Sequence, residues 1–135
     1  MNKIEGECLC GKIKYYSKSD RLFTTVCHCS HCQKQSGTAF SIIIGVDRKS
    51  LHISGDLKCY EDIGNSGKPV YRKFCGNCGS PIISDVSAAP DLLFIKAGTI
   101  NNIKSLRPIK EIWTDHKLDC ITINGILEKH KTDGK

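Results

Sequence analysis

The sequence lacks the features that mark exported and membrane-spanning chains. Its first six residues contain no apolar run of the kind found in signal peptides, and no stretch approaches the roughly 20 apolar residues that span a bilayer. Internal repeats, low-complexity segments and linkers are missing as well. We therefore expect a cytoplasmic protein in which residues 1–135 form a single domain.

The sequence also lacks a concentrated charge of one sign. The formal net charge is +6, from 20 Lys and Arg against 14 Asp and Glu, and the excess is scattered along the chain. A scattered excess is typical of an ordinary protein surface rather than of a nucleic-acid groove, and it slightly favours a small anionic partner. We therefore expect neither a nucleic acid nor a membrane as the partner, and the pattern indicates no oligomeric state.

The sequence also lacks any long segment in which apolar residues repeat with the period of a helix. Only residues 30–36 have helical character, and Gly37 is a stop signal for that helix. Short runs bounded by Gly, Pro, Asn and Asp predict strands at residues 13–16, 22–26, 40–46, 51–54, 57–60, 70–74, 81–84, 92–96 and 111–114. Gly55 and Asp56 predict a two-residue hairpin turn. The fold class is therefore mainly β, with short strands and little helix, while residues 118–126 stay ambiguous.

Cysteine, in contrast, is abundant, with nine residues in 135. Most of these cysteines fall into three short clusters, with the spacings C-x-C, C-x-C-x-x-C and C-x-x-C. The odd number, the short spacings and the missing export signal favour thiolate metal ligands over disulfides. Zinc is the metal that such clusters usually bind.

One zinc site is predicted from two separate pairs. Cys75 and Cys78 can hold one ion in a tight turn, in which Gly76 and Gly79 permit positive φ angles and backbone amides point at the sulfurs. Cys8 and Cys10 can supply two more sulfurs from one face of an extended segment. Four thiolates make a closed structural site that links segments nearly seventy residues apart. The alternative is that Cys8 and Cys10 are buried free thiols.

A second site is predicted within residues 27–32. Cys27, Cys29 and Cys32 offer three thiolates, and the cluster opens the short predicted helix, whose first amides favour thiolate. Three protein ligands with one open position are the arrangement of catalytic zinc. Two alternatives remain: His28 or His31 could close the site and make it structural, or one cysteine could be redox-active.

Three further residues have no place in these clusters. Cys59 and Cys120 lie in apolar stretches and are predicted to be small core residues, although Cys120 could instead be a reactive thiol. Trp113, the single tryptophan, is predicted to pack in the core, with an aromatic wall beside a ligand pocket as the alternative.

The ordered set of cysteine clusters resembles the glutathione-dependent formaldehyde-activating enzyme family, which includes centromere protein V. The resemblance covers about residues 5–125. The segments that carry it are residues 6–11, 27–32, 36–40, 72–81 and 97–100, with Pro108.

This resemblance implies a β-tent fold clamped by zinc and the cofactor set of two zinc ions. It implies a structural zinc on Cys8, Cys10, Cys75 and Cys78, and a labile catalytic zinc on Cys27, Cys29 and Cys32. The implied activity is that of a carbon–sulfur lyase, which condenses glutathione with formaldehyde to S-(hydroxymethyl)glutathione.

The expected partner is accordingly a small-molecule thiol such as glutathione. Lys34 and Arg72 are the cations nearest in sequence that could hold its carboxylates. Two other functions remain open on the same fold. One is a non-catalytic zinc-binding interaction or chaperone-like module, and the other is a thiol-redox enzyme that uses Cys120, by similarity of the β-tent to zinc-bearing methionine sulfoxide reductases.

Overall fold

A computed structural model describes residues 3–133 and is mainly β. Its single α-helix, α1, is Ser30–Ser36. The strands are β1 Ile4–Glu7, β2 Lys14–Ser17, β3 Phe23–Cys27, β4 Ser41–Asp47, β5 Leu51–Ser54, β6 Leu57–Ile63, β7 Pro69–Cys75, β8 Pro81–Val86, β9 Leu92–Lys96, β10 Lys110–Ile112 and β11 Glu128–Lys129. The predicted fold class is therefore confirmed, and no helix in the described part of the chain is long and apolar enough to cross a membrane.

The strands form two sheets. A three-stranded antiparallel sheet has the order β1-β2-β5. An eight-stranded sheet has the order β11-β10-β3-β4-β9-β8-β7-β6. Neighbours in the larger sheet are antiparallel except at β10, which runs parallel to both β3 and β11. The chain therefore returns from its last third to pair beside a strand formed near its start.

The core lies between one face of each sheet. Ile4 and Tyr15 from the small sheet pack in one cluster with Ile44, Ile83 and Ile95 from the large sheet. Because strand side chains alternate between faces, the residues between these core positions point to the opposite face of the large sheet. That opposite face carries the cavity described below.

The predicted hairpin at Gly55 and Asp56 is wrong. The turn joins two strands that belong to different sheets, because β5 pairs with β2 and β6 pairs with β7. Stacking of Tyr16 on His52, with ring centroids 4.9 Å apart, supports the pairing of β5 with β2. Gly55 has φ +101°, which a residue with a side chain rarely adopts.

Other differences from the predicted elements lie near the start and in the last quarter of the chain. The strands β1 and β11 were not predicted, and the ambiguous residues 118–126 form turns without a helix or strand. The strand predicted at residues 111–114 ends instead at Ile112, since Trp113 takes a left-handed conformation with φ 57°. This left-handed residue turns the chain at the edge of the cavity.

Candidate metal centres and the adjoining cavity

Two turns bring four cysteines together. Cys8 and Cys10 lie in the turn after β1, Cys75 ends β7, and Cys78 lies in the turn that follows, with all four sulfurs within 4.8 Å of one another. The Sγ–Sγ distance is 3.6 Å from Cys8 to Cys10 and 3.8 Å from Cys10 to Cys75. Tetrahedral zinc with Zn–S bonds of about 2.3 Å separates its sulfurs by about 3.8 Å, so the donor set fits one ion.

The turn after β7 is built as the sequence predicts, with one correction. The amide of Gly79 donates to the carbonyl of Cys75 at 2.8 Å, and the amide of Asn77 points at the Cys75 sulfur at 3.4 Å. Gly79 has φ +81°, whereas Gly76 does not have a positive φ. Gly76 instead leaves room for the side chain of Lys58, whose carbons would lie 3.0 Å from a Cβ at that position.

Ser80 connects the two pairs. Its hydroxyl accepts a hydrogen bond from the amide of Leu9 and lies 3.2 Å from the sulfur of Cys78. This hydroxyl is the main cause that lowers the pKa of Cys78 to about 5, because it stabilises the thiolate. The Cys8 and Cys10 pair lies in a turn rather than on the extended segment that was predicted, and the amide of Ile13 contacts the Cys8 sulfur at 3.2 Å.

A second cluster lies where β3 meets α1. Cys27 ends the strand, Cys29 is the N-cap of the helix, and Cys32 lies inside it. Their three sulfurs all lie within 4.8 Å of one another, and the Cys29 sulfur accepts a hydrogen bond from the amide of Cys32 at 3.2 Å. The three donors therefore share one small volume, as ligands of a single ion would.

The three thiols affect one another's pKa values. Hydrogen bonds with Cys27 and Cys29, together with the positive charges of Lys96 and Arg72, lower the pKa of Cys32 to about 2. Hydrogen bonds with Cys29 and Cys32 raise the pKa of Cys27, and burial and the negative charge of these two neighbours act in the same direction. A bound cation removes this conflict, since metal binding displaces the protons from all its thiol ligands.

Neither nearby histidine belongs to this cluster. His28 is fully buried, with its Nε2 3.6 Å from Glu111 Oε1 and its ring edge against Phe40. Burial lowers the pKa of His28, although the Glu111 carboxylate opposes that effect. His31 is exposed and directs its Nδ1 to Asp62 at 2.6 Å. The alternative in which a histidine closes the site therefore has no support in the geometry.

The three-cysteine cluster lies against a cavity of about 630 Å³. The cavity covers the face of the large sheet opposite to the core, and Trp113 and His116 line it from the last third of the chain. Trp113 is therefore not in the core, and the alternative of an aromatic wall beside a pocket describes its position. Cys59 and Cys120 are exposed rather than buried, and neither lines this cavity.

Three polar side chains line the cavity from adjacent strands. Arg72 on β7 donates to Asp62 at 2.8 Å, and Lys96 on β9 donates to the hydroxyl of Ser41 at 3.1 Å. Ser84 on β8 lies between them, and its hydroxyl is buried without a hydrogen-bond partner within residues 3–133. Burial lowers the pKa of Lys96, and the nearby cysteines act in the opposite direction.

Of the cations considered from the sequence, only Arg72 reaches this cavity. Lys34 is exposed and does not line it. Lys96 and Ser84 were missed, although a signal existed for the lysine. In the strand Leu92–Lys96 the alternate positions Leu92, Phe94 and Lys96 share one face, so an apolar strand face ends in a charge.

The fold and these two clusters define a mainly β protein with two candidate thiolate metal centres, one of which adjoins a cavity. The chain belongs to the glutathione-dependent formaldehyde-activating enzyme family, whose model matches residues 3–116. The family expectation from the cysteine clusters is thereby confirmed.

Individual relatives are more distant. A protein of Schizosaccharomyces pombe named as an uncharacterized lyase is 24% identical over 120 residues, which cover 89% of this chain and 85% of that protein. The crystal structure of a Rhodobacter sphaeroides protein has a TM-score of 0.60 at 18% identity, and it covers 74% of this chain and 90% of that chain. The second similarity concerns the fold alone.

Proposed function

We propose that this protein is a carbon–sulfur lyase-type enzyme that forms and cleaves adducts between a thiol and an aldehyde. The observation that carries the proposal is the opening of the Cys27, Cys29 and Cys32 cluster onto a large cavity that contains a buried lysine. Family membership and the relative named as a lyase support the same class of reaction. Glutathione is the proposed thiol, and the condensation with formaldehyde is the family's named reaction.

The two clusters fit two zinc ions with different roles. Cys8, Cys10, Cys75 and Cys78 would hold a structural ion, because four thiolates fill a tetrahedral site. Cys27, Cys29 and Cys32 would hold the catalytic ion. When bound, that ion would supply a Lewis-acid position that accepts the sulfur of the incoming thiol and favours its thiolate form.

Lys96 is suited to serve the oxygen of the aldehyde. Its side chain is 5% exposed, its ammonium donates one hydrogen bond to Ser41, and it forms no ion pair with a carboxylate within residues 3–133. Two of its three N–H donors are therefore available for a ligand. Three thiolates and one divalent ion carry one net negative charge, which the ammonium of Lys96 balances.

The proposed proton transfer follows from this placement. The thiolate adds to the carbonyl carbon, so that a C–S bond forms and the carbonyl π electrons move to oxygen. The ammonium of Lys96 gives a proton to this alkoxide and later regains one from water. In the cleavage direction the neutral amine accepts the hydroxyl proton as the C–S bond breaks. Arg72 stays paired with Asp62 and adds positive potential at the same end of the cavity.

Cobalt substitution tests the proposed thiol site. Adding glutathione to the cobalt-loaded protein should increase the sulfur-to-cobalt charge-transfer absorption, because a fourth sulfur joins the three-cysteine site. Cys29→Ser should abolish the response, and Cys59→Ser, which removes an exposed cysteine outside both clusters, should keep it. An unchanged spectrum at millimolar glutathione, with both sites loaded, would contradict the proposal and favour the non-catalytic binding module.

We also propose a cytoplasmic location, because of the state of the cysteines. None of the nine cysteines forms a disulfide. Seven of them are grouped as metal ligands would be, which suits a reducing compartment.

A further inference from the structure

The cavity beside the three-cysteine cluster is much larger than a one-carbon aldehyde needs. Formaldehyde has two heavy atoms and would fill roughly 60 Å³, if each takes the ~30 Å³ share of a liquid water. The cavity holds about 630 Å³, a volume typical of pockets that enclose ligands of many atoms. The remaining space must therefore suit some other part of the substrate.

The wall that leads away from the cluster is mostly apolar. Along β3, Thr25 is two residues before Cys27 and pairs with Ile43 on the neighbouring strand. Phe23, two residues further on the same face of β3, also lines the cavity. The step from Cys27 to Phe23 is four residues, or about 13 Å at 3.3 Å per residue. Phe94 and Leu92 extend the same wall on β9.

The far end of this wall is a formed structure rather than an accidental gap. The rings of Phe23 and Phe94 pack with centroids 5.8 Å apart and planes tilted by 51°. Gly45 provides the space for this packing, since a Cβ there would lie 2.4 Å from the Phe23 ring. An alanine at residue 45 would push the Phe23 ring out of its place.

Polar lining residues lie next to this wall, since Lys110 pairs with Thr25. Lys96 lies on the side of the cluster, paired with Ile43, and suits an oxygen atom, whereas the unpartnered hydroxyl of Ser84 lies directly opposite Phe94. The exposed lining residues His31 and His116 lie at the surface, where the charged groups of glutathione can keep their hydration. Burying the carboxylates of glutathione against Phe23 and Phe94 would cost free energy. The apolar wall therefore suits the substituent of the aldehyde better than it suits glutathione.

We infer that the aldehyde half of the adduct carries a bulky apolar group of about four to seven carbons, branched or aromatic, which lies against Phe23, Phe94 and Leu92. Its oxygen faces Lys96, and the adduct is a thiohemiacetal of glutathione or a similar thiol. This inference rests on the proposed function and specifies its substrate class. Formaldehyde would then be a poor substrate that leaves the wall uncovered.

Two stable thioethers test the inference through binding. S-Benzylglutathione and S-methylglutathione represent adducts with an aromatic and a one-carbon aldehyde, and neither can react. Trp113 is the only tryptophan and lines the cavity, so its fluorescence reports binding to the zinc-loaded protein. The benzyl compound should bind at least about tenfold more tightly, because it buries a phenyl group that the methyl compound lacks.

Neighbouring positions provide a matched pair of variants. Ala88 lines the cavity, whereas the adjacent Ser87 lies in the same turn and does not. Ala88→Asp should reduce the preference for the benzyl compound to less than threefold, because it puts a carboxylate into the apolar wall. Ser87→Asp adds the same charge to the same turn and should leave the preference unchanged.

The outcomes separate this inference from the function on which it rests. Equal binding of the two thioethers would overturn the inference, and so would a preference that survives Ala88→Asp. If that happens while glutathione still changes the cobalt spectrum, the proposed function stands with a small aldehyde. If glutathione leaves the spectrum unchanged as well, the proposed function fails together with the inference.

Discussion

At the scale of single residues, Lys96 is the buried cation beside the three-cysteine cluster. Burying a lysine costs free energy unless its charge is compensated, because burial disfavours the ammonium. Its neighbours explain why it is tolerated. The cysteine cluster attracts the charge, and Ser41 accepts one of its hydrogen bonds.

Replacing this lysine should slow the reaction without removing the metal. Lys96→Met keeps the length of the side chain and removes the proton donor, so we expect adduct formation to slow by about a hundredfold. The rate can be measured by exchange NMR with glutathione and either formaldehyde or 3-methylbutanal, whichever reacts faster. Lys34→Met, at an exposed position outside the cavity, is the control. A Lys96→Met enzyme with more than half the normal rate would show that the lysine only supports the fold.

The residues of the site could be predicted from the sequence only in part. Cys27, Cys29 and Cys32 stand out because their spacing alone brings their sulfurs together. Lys96 reaches the cluster only because β9 pairs with β4, which in turn pairs with β3, the strand that ends in Cys27. Which strands lie next to one another depends on the strand order of the sheet, and no local sequence pattern predicts that order.

At the scale of elements, the second candidate metal site is local. All three of its cysteines come from the junction of β3 and α1, within six residues. Losing an ion from this junction need not separate distant parts of the chain. The strand β3 is also held by its pairing with β4 and β10, so its position does not rest on an ion alone.

A mild chelator should therefore remove about one equivalent of zinc and leave the fold intact. Three protein ligands hold an ion less firmly than four, and the open position gives the chelator access. Zinc release can be followed with a colorimetric indicator while circular dichroism reports the strands. Loss of both ions in one step, together with unfolding, would contradict the division into a local and a structural site.

Elements also mark where prediction from sequence succeeded and where it failed. The strands Leu51–Ser54 and Leu92–Lys96 and the helix Ser30–Ser36 have the predicted bounds, since apolar pattern and a glycine stop define them locally. The hairpin at Gly55 failed because a turn signal does not say which strands will pair. Here β5 pairs with β2 instead of continuing into a hairpin.

At the scale of the whole molecule, the four-cysteine cluster joins the two sheets. Cys8 follows β1 of the small sheet, and Cys75 ends β7 of the large sheet. Both cysteines are buried and belong to the hydrophobic core. A metal ion on these sulfurs would fasten the sheets across the core that they share.

Removing one of these sulfurs should prevent stable folding. Binding of a structural zinc is worth roughly 10 kcal/mol or more, which is comparable with the whole stability of a small domain. Cys75→Ser should give insoluble protein or a state without a cooperative thermal transition, whereas Cys59→Ser, at an exposed free cysteine, should unfold like the unchanged protein. Native thermal stability of Cys75→Ser would mean that the cluster contributes little to folding.

The parallel pairing of β10 with β3 has a consequence for how the protein is made on the ribosome. Both cysteine clusters are complete once Cys78 has left the exit tunnel, but Ile112 and Trp113, which line the cavity, are translated more than thirty residues later. A nascent chain could thus bind the proposed metal ions before these two residues cover the three-cysteine cluster. The proposed metal ions could therefore be bound first, and the cavity would be completed when the last strands reach their places.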